Sequence, residues 1–409
     1  MSRQVRFGTH ASLAFLSSVA IAAALPLGAQ QPRQWTVAHM EAEYADPFTC
    51  VRWGSIRELA DGRVMVADPT EKRLEIIDFR SGRAVPLGRQ GAGPAEWGLP
   101  LSLSPLGPDT TLLYDPQNNR LLKIAADGSI ADATIPLPAG RGGFGLGGPR
   151  GHDAAGRLYA QGSSVTLAPG EPMVTADSAP IIRFDPRTTT VDTVAYLRVP
   201  KPELRSSGSG GQTRMMISIA PNPFLPVASW AVAPDGRLAI ITPEPYRAEW
   251  IGANGARSTG PAVSHERLRV TSADKESTGS GGPQCSFTIT RNLGGGAATS
   301  FSRTMVRASG DREGPPPRND WPDYKPPFLG ASPSAVVAAP TGEVWVLRTR
   351  AADDDVPTYD VFDAQGRPTA RVTLPEGSSL LGFGRGVVYL SRMDEDDLVY
   401  IQRWKLDTP

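Results

Sequence analysis

The stretch Ser55-Ile-Arg-Glu-Leu-Ala-Asp-Gly-Arg-Val-Met-Val-Ala-Asp68, followed by Arg73-Leu-Glu-Ile-Ile-Asp-Phe-Arg-Ser-Gly82, decides the fold. Apolar and polar residues alternate in runs of strand length, and Asp61-Gly62 and Ser81-Gly82 separate the runs with residues that tight turns favour. The pattern returns further along. Thr111-Leu-Leu-Tyr-Asp115 and Arg120-Leu-Leu-Lys-Ile-Ala-Ala-Asp-Gly128 repeat it, with Asp68 to Asp115 and Arg73 to Arg120 each 47 residues apart. Further copies hold Asp153-Ala-Ala-Gly-Arg-Leu-Tyr159, Trp230-Ala-Val-Ala-Pro-Asp-Gly-Arg-Leu-Ala-Ile-Ile241, Val336-Val-Ala-Ala-Pro-Thr-Gly-Glu-Val-Trp-Val346 and Leu380-Leu-Gly-Phe-Gly-Arg-Gly-Val-Val-Tyr-Leu390.

Six four-stranded units spaced about 45 residues or more apart read as the blades of a β-propeller. An array of β-sandwich domains would need about 100 residues for each unit. The expected fold is therefore all-β: six antiparallel blades in one ring. The sixth unit shows only three strands, and the alternation in Trp35-Thr-Val-Ala-His-Met-Glu-Ala-Glu43 offers the fourth. Residues 35–43 are expected to pair with the last blade, close the ring and cover its open edge.

Two phrases carry a resemblance. Gly88-Arg-Gln-Gly-Ala-Gly-Pro-Ala-Glu-Trp97 is similar to the G-x-G-P-x-E-aromatic phrase of six-bladed propellers exported by bacteria, and Asp115-Pro-Gln-Asn-Asn-Arg-Leu-Leu-Lys-Ile124 resembles the NHL-repeat core. The chain thus resembles NHL-repeat and TolB-like propellers over residues 35–406. The resemblance implies architecture far more than reaction, because such folds host many functions.

The 43 Gly and 39 Pro make up a fifth of the chain, which suits short strands and turns and argues against a helical bundle. The 36 Arg against 6 Lys are read as compositional drift. Lys and Arg together number 42, as do Asp and Glu, so no basic excess points to nucleic acid. Arg3 and Arg6, the apolar run Ala11–Leu27 and the small residues Leu27-Gly28-Ala29 read as a signal peptide over residues 1–29. Residues 30–409 are then one exported propeller domain with a large insertion at 261–334, periplasmic or secreted, without membrane insertion and monomeric. Cleavage before Gln30 leaves 40 basic and 42 acidic residues. The two cysteines, Cys50 and Cys285, form a disulfide or remain separate thiols. No spacing of Cys or His fits a zinc site, and no cofactor is expected.

If strands A to D run outward from the channel, the A–B turns (Asp61-Gly62, Pro234-Asp-Gly236, Pro340-Thr-Gly342) and the C–D turns (Asp127-Gly128, Asn254-Gly255, Gln365-Gly366) leave one face bare. The long links at 88–100, 141–150, 200–228 and 261–334, and the B–C loops at 163–180 and 350–357, gather on the other. That loop-rich face is the expected working face. A short helix is expected near Ser272–Ser277, and Trp321 and Phe328 belong to a Pro-aromatic strip that packs against blade five or caps the channel.

Asp68 with Arg73, and Asp115 with Arg120, recur in successive blades, as structural groups do; each Asp is expected to brace its B–C turn and pair with the Arg across it. The candidate ligand-binding residues are Glu96 and Trp97 in an inter-blade link, His152, Trp321, Tyr246 and Arg247. Tyr246 and Arg247, with Trp250, would line a sugar or peptide site by stacking and bidentate binding, although one strand face for Tyr246 and Trp250 also suits blade-to-blade packing. The acidic runs Asp353–Asp355 and Asp394–Asp397 fit no EF-hand loop. No nucleophile elbow, P-loop or dinucleotide motif stands in suitable context. The expected function is a scaffold binding a small molecule, glycan or protein through the loop-rich face, without catalysis. The alternative implied by the resemblance is a calcium-dependent hydrolase, lactonase or lyase with its site at the channel mouth. Such a site needs inward carboxylates, and the innermost strands are mostly small or apolar.

Overall fold

The computed structural model describes Met1 and residues 32–138, 144, 148–166, 174–201, 203–207, 214–218, 222, 224–277, 286–292, 298–304 and 321–406. The segment read as a signal peptide, Cys285 and much of the 261–334 insertion lie outside them. Among the described residues no helix is long and apolar enough to cross a membrane.

The strands between residues 33 and 405 assemble as the repeats dictate. Blade one is Ile56–Glu58, Val64–Asp68, Arg73–Asp78 and Arg83–Pro86; blade two is Ser102–Pro105, Thr110–Asp115, Arg120–Ala125 and Ile135–Pro136. Blade three is Pro149–His152, Leu158–Gln161, Ser178–Asp185 and Thr190–Arg198; blade four is Ser229–Val232, Leu238–Pro243, Tyr246–Ile251 and Arg257–Thr259. Blade five is Val336–Ala338, Val344–Leu347, Thr358–Phe362 and Pro368–Thr373, and blade six begins with Ser379–Phe383, Val387–Met393 and Val399–Lys405.

Strand alternation gives each blade two apolar faces, and each face is buried against a neighbouring blade. Leu103, Leu113 and Leu122 meet Met65, Leu74 and Ile76 between blades one and two. Val64, Val66 and Ile77 meet Leu381, Tyr389 and Ile401 between blades one and six, so the ring is closed. A fully buried Val, Leu or Ile contributes roughly 1.5–3 kcal/mol. Core clusters at every blade junction therefore outweigh any single polar contact.

The closing segment differs from the single strand expected at 35–43. Met40–Glu43 runs antiparallel to Val399–Lys405 and completes blade six. Arg33–Thr36 instead lies parallel to Pro368–Thr373 as a fifth strand of blade five. The Trp35 ring packs edge-on against Trp345 at 5.8 Å, which holds the first half on blade five. The Glu43 carboxylate takes both nitrogens of a bidentate Arg392 at 3.0 Å and Gln402 at 2.6 Å, which holds the second half on blade six.

The bare face is as expected. Gly236 sits at φ +84° and its N–H donates to Ala233 O at 2.9 Å, a turn that a side chain at that φ would strain. Here the arginines prove to be more than drift. Arg57 donates to Gly107 O at 2.8 Å, Arg63 to Ala126 O at 3.0 Å, Arg237 to Ala364 O at 3.3 Å and Arg385 to Ala60 O at 2.7 Å. Each reaches from one blade to a carbonyl of the next. A forked guanidinium can make several such bonds at once, which an ammonium on a flexible stem does less well.

On the opposite face the Asp–Arg phrase acts as a staple. Asp68 accepts Thr49 N and Cys50 N at 2.8 and 2.9 Å from the incoming link, and Thr70 N and Glu71 N from its own turn. Asp115 takes Gly98 N and Leu99 N at 3.0 and 2.9 Å in the same way. The arginines grip the same links by their carbonyls, Arg73 at Pro47 O and Arg120 at Gly93 O and Glu96 O. The expected turn brace is thus present. The ion pair across the turn forms in blade two, at 3.5 Å between Arg120 and Asp115. In blade one Arg73 pairs with Glu75 at 3.0 Å instead, its guanidinium drawn over the Phe48 ring.

Candidate functional site

The candidate residues do not converge on one place. Glu96 folds back on its own link, accepting Gly93 N at 2.8 Å and pairing with Arg89 at 2.7 Å, and these partners hold its carboxyl below the usual range. Trp97 is 4% exposed, donates to Leu87 O at 3.0 Å and fills the core between blades one and two. Arg247 pairs with Glu249 at 3.1 Å. Trp321 packs on Phe224 at 5.8 Å, and Phe328 is fully buried between blades four and five. Cys50 is buried and disulfide-bonded; Cys285 lies outside the described residues.

His152 ends the innermost strand of blade three and opens onto the central channel, a cavity of about 560 Å³ lined by the first strands of all six blades. Enclosure by protein pushes its imidazole below the ordinary value; the Asp153 carbonyl opposes this and Arg57 adds to it. The walls near it are otherwise dominated by Leu103, Ala231, Val232, Val336 and Leu381. Among the described residues no three His, Cys, Asp or Glu side chains come together as a metal site.

Tyr246 alone of the candidates leads to a polar cavity. It begins strand C of blade four, on the loop-rich face, and lines a crevice of about 430 Å³ with residues of the link 260–335 and of blade five. Its hydroxyl donates to Asp360 Oδ2 at 3.1 Å. Burial, and next the Asp360 carboxylate, raise its pKa well above the usual value, so the phenol stays protonated as a donor. Asp360 is itself 5% exposed and receives Arg371 at 3.2 Å and Arg348 at 3.5 Å. One buried carboxylate thus orients two guanidinium groups and a phenol.

Arg350 lines the same crevice and makes no ion pair among the described residues; its Nη1 and the hydroxyl of the adjacent Thr349 are buried without a protein partner. The link above is held by Thr349 N donating to Pro327 O at 2.9 Å and by Lys325, whose ammonium reaches Arg350 O at 2.7 Å. Lys325 also pairs with Asp274 at 2.5 Å, both side chains under 5% exposed. Asp274 lies in the helix Ser272–Ser277, where the sequence placed one. Burial pushes the Asp274 carboxyl up, but Lys325 and the Thr271 donors more than offset it and leave its pKa below the usual value.

The origin of this cluster is visible in the strand register. Ala67 N donates to Ser55 O in blade one, and Leu347 N donates to Ala335 O in blade five. The next residue in each strand is Asp68 in the first and Arg348 in the second. Where blades one and two carry the stapling aspartate, blade five carries an arginine. A cation there cannot accept the N–H groups of an incoming link, and the crevice stands open beside it. Sequence reasoning missed Arg348, Arg350 and Arg371; the alternation Arg348-Thr-Arg350 entering a long B–C loop was the available signal.

No protein-family model and no curated protein matches the chain. Solved structures of similar layout include a putative exported protein from Bacteroides fragilis, at 12% identity over 92% of this chain and 99% of that one, TM-score 0.43. The chain is a six-bladed β-propeller. A calcium-binding protein, regucalcin, from Agrobacterium tumefaciens is similar at 12% identity, covering 91% of this propeller and 96% of that chain, TM-score 0.39. A gluconolactonase from Xanthomonas campestris is similar at 11% identity, covering 91% and 96%, TM-score 0.38. Values this low say nothing of the propeller's chemistry, and the likeness to NHL repeats stays one of motif.

Proposed function

We propose that the protein is an exported scaffold that binds a ligand through its loop-rich face, in the crevice between blades four and five. The observation that supports this reading is the half-buried Arg350, a cation without a counter-charge among the described residues in a cavity of ligand size. A rigid ring holds the crevice walls in place, so binding needs little reorganisation.

The test is hydrogen exchange on the full chain with and without a pooled small-molecule extract. Slowed exchange over residues 244–270, 325–327 and 348–373 is the expected result. Protection confined to the innermost strands would move the site to the central channel. Lactone turnover that requires added calcium would replace the scaffold reading with a hydrolase. Export is tested by fractionating cells and sequencing the mature N-terminus, with Gln30 expected first.

A further inference from the structure

The charges of the crevice are segregated. Arg348, Arg350 and Arg371 stand inside it with Asp360 as the one buried carboxylate among its lining residues, while Glu266 and Asp354 are exposed at its rim. Lys325 is already matched by Asp274 and adds no free charge. The interior therefore keeps an excess of two positive charges, and the rim holds two negative ones. Leu268, Pro326, Pro327 and Ala351 supply the apolar wall between them.

Resting on the binding reading above, we infer that the crevice takes a small zwitterion of the amino-acid or short-peptide type. Its carboxylate sits on Arg350 beside Arg348 and Arg371, and its ammonium faces Glu266 and Asp354. A planar guanidinium fork matches a carboxylate in two parallel hydrogen bonds. Tyr246 and Asp360 set the neighbouring fork in place, and the Thr349 hydroxyl adds a donor. A doubly charged phosphate suits the site less well, because Asp360, Glu266 and Asp354 repel its second charge. A sugar suits it less well too. Sugar sites present an aromatic face, and the Tyr246 ring is already packed by His265, Phe328 and Phe362 at 5.6–6.0 Å. In place of the stacking role expected of Tyr246, its ring serves here as packing, and the neighbouring Arg247 side chain pairs with Glu249.

Outside the mouth, Arg267 and Arg269 lie over the Tyr324 ring at 4.0 and 5.3 Å, on the segments that carry Glu266, Leu268 and Lys325. They place further cations beside the entrance and favour approach of the anionic end first.

The experiment is a thermal-melting screen of the full protein against four probes. These are an equimolar mixture of free amino acids and dipeptides, the same mixture as C-terminal amides, the same mixture N-acetylated, and inorganic phosphate. The free mixture is expected to raise the melting midpoint by about 3 °C when its binding members stand a hundredfold above Kd. Amides should give no shift, and N-acetyl forms a smaller one. Arg350→Gln should weaken binding by about 10–100-fold, with partial recovery in Arg350→Lys. The melting midpoint of each free variant should stay within about 1 °C of the parent, which separates lost binding from lost fold.

Amides or phosphate matching the free mixture would overturn the zwitterion. So would a free mixture without effect, or one whose effect survives Arg350→Gln. If the zwitterions fail while exchange protection from the crude pool still maps to residues 244–270 and 348–373, only the ligand class falls. If protection maps to the channel, the face itself is wrong.

Discussion

The junction of blades one and two and the junction of blades four and five are built on the same strand skeleton and end differently. At the first, Asp115 and Arg120 grip the link from both sides, and Trp97 plugs the core beneath it. At the second, Arg348 occupies the place held by aspartate in blades one and two, the link is held by Thr349 N on Pro327 O and by Lys325 on Arg350 O, and a crevice of about 430 Å³ remains. The polar repeat is thus separable from the fold. The inter-blade cores make the ring, and the residue at the end of strand B is an aspartate that staples the link in blades one and two and an arginine beside the crevice in blade five.

That contrast can be broken at several points. Asp115→Ala leaves the Gly98 and Leu99 N–H groups and Arg120 without their acceptor in a buried setting, and should cost about 4 kcal/mol in urea unfolding. A loss under about 1 kcal/mol would mean that the staple does not seal the junction. Lys325→Met strips Asp274 of its counter-charge in a pair buried on both sides. The expected loss is about 3 kcal/mol, moderated if the link lifts to hydrate the carboxylate, with faster amide exchange at residues 323–327 as the sign of it. Tyr246→Phe removes one neutral donor from Asp360 and leaves both arginines, so about 1 kcal/mol is expected, together with a looser crevice but an intact ring.

The smallest effect concerns the closing seam. Arg392 first, and also Gln402, hold the Glu43 carboxyl below its usual value of 4.5 although burial opposes them. A carboxyl depressed in the folded state adds stability that is fully present above the unfolded value. That stability is lost as pH falls through the folded one. Exchange at Met40–Glu43 should therefore quicken below about pH 4 while Gly98 and Leu99 change less. Glu43→Gln should abolish the local acid dependence; unchanged exchange in both proteins would show that the seam is held by strand pairing alone.

The blades were legible because alternation, Asp-Gly turns and a fixed spacing are all local. The same holds for the bare face and for the helix at Ser272–Ser277. The closing segment was legible as β-structure, but its division at residues 37–39 depends on Trp35 meeting Trp345, more than 300 residues away. Glu96 and Trp97 stood out because they sit in an inter-blade link; the glycines of that link let the carboxylate fold back onto Gly93 N. The crevice was hidden for a different reason. Tyr246, His265, Arg350 and Arg371 belong to separate segments that only ring closure assembles, and Arg348 stands out only when counted in register against Asp68. The abundance of arginine could not be interpreted until carbonyl partners on neighbouring blades were known.

The pairing of Met40–Glu43 with Val399–Lys405 has a consequence for how the molecule is made. Glu43 and Gln402 are 359 residues apart, and the bond between them joins a strand that precedes blade one to the strand that ends blade six. Five blades can form in order as the chain emerges, yet the sixth lacks its outer strand until the C-terminal strand meets an N-terminal segment that has waited, attached to blade one, throughout synthesis. Such a long-range contact is slow to form. Until it does, one unpaired edge stays available to a second chain. Joining the ends and opening the ring at the bare Asn254–Gly255 turn would move this late step to a different blade, and the folding rate would report how much of the delay belongs to the seam.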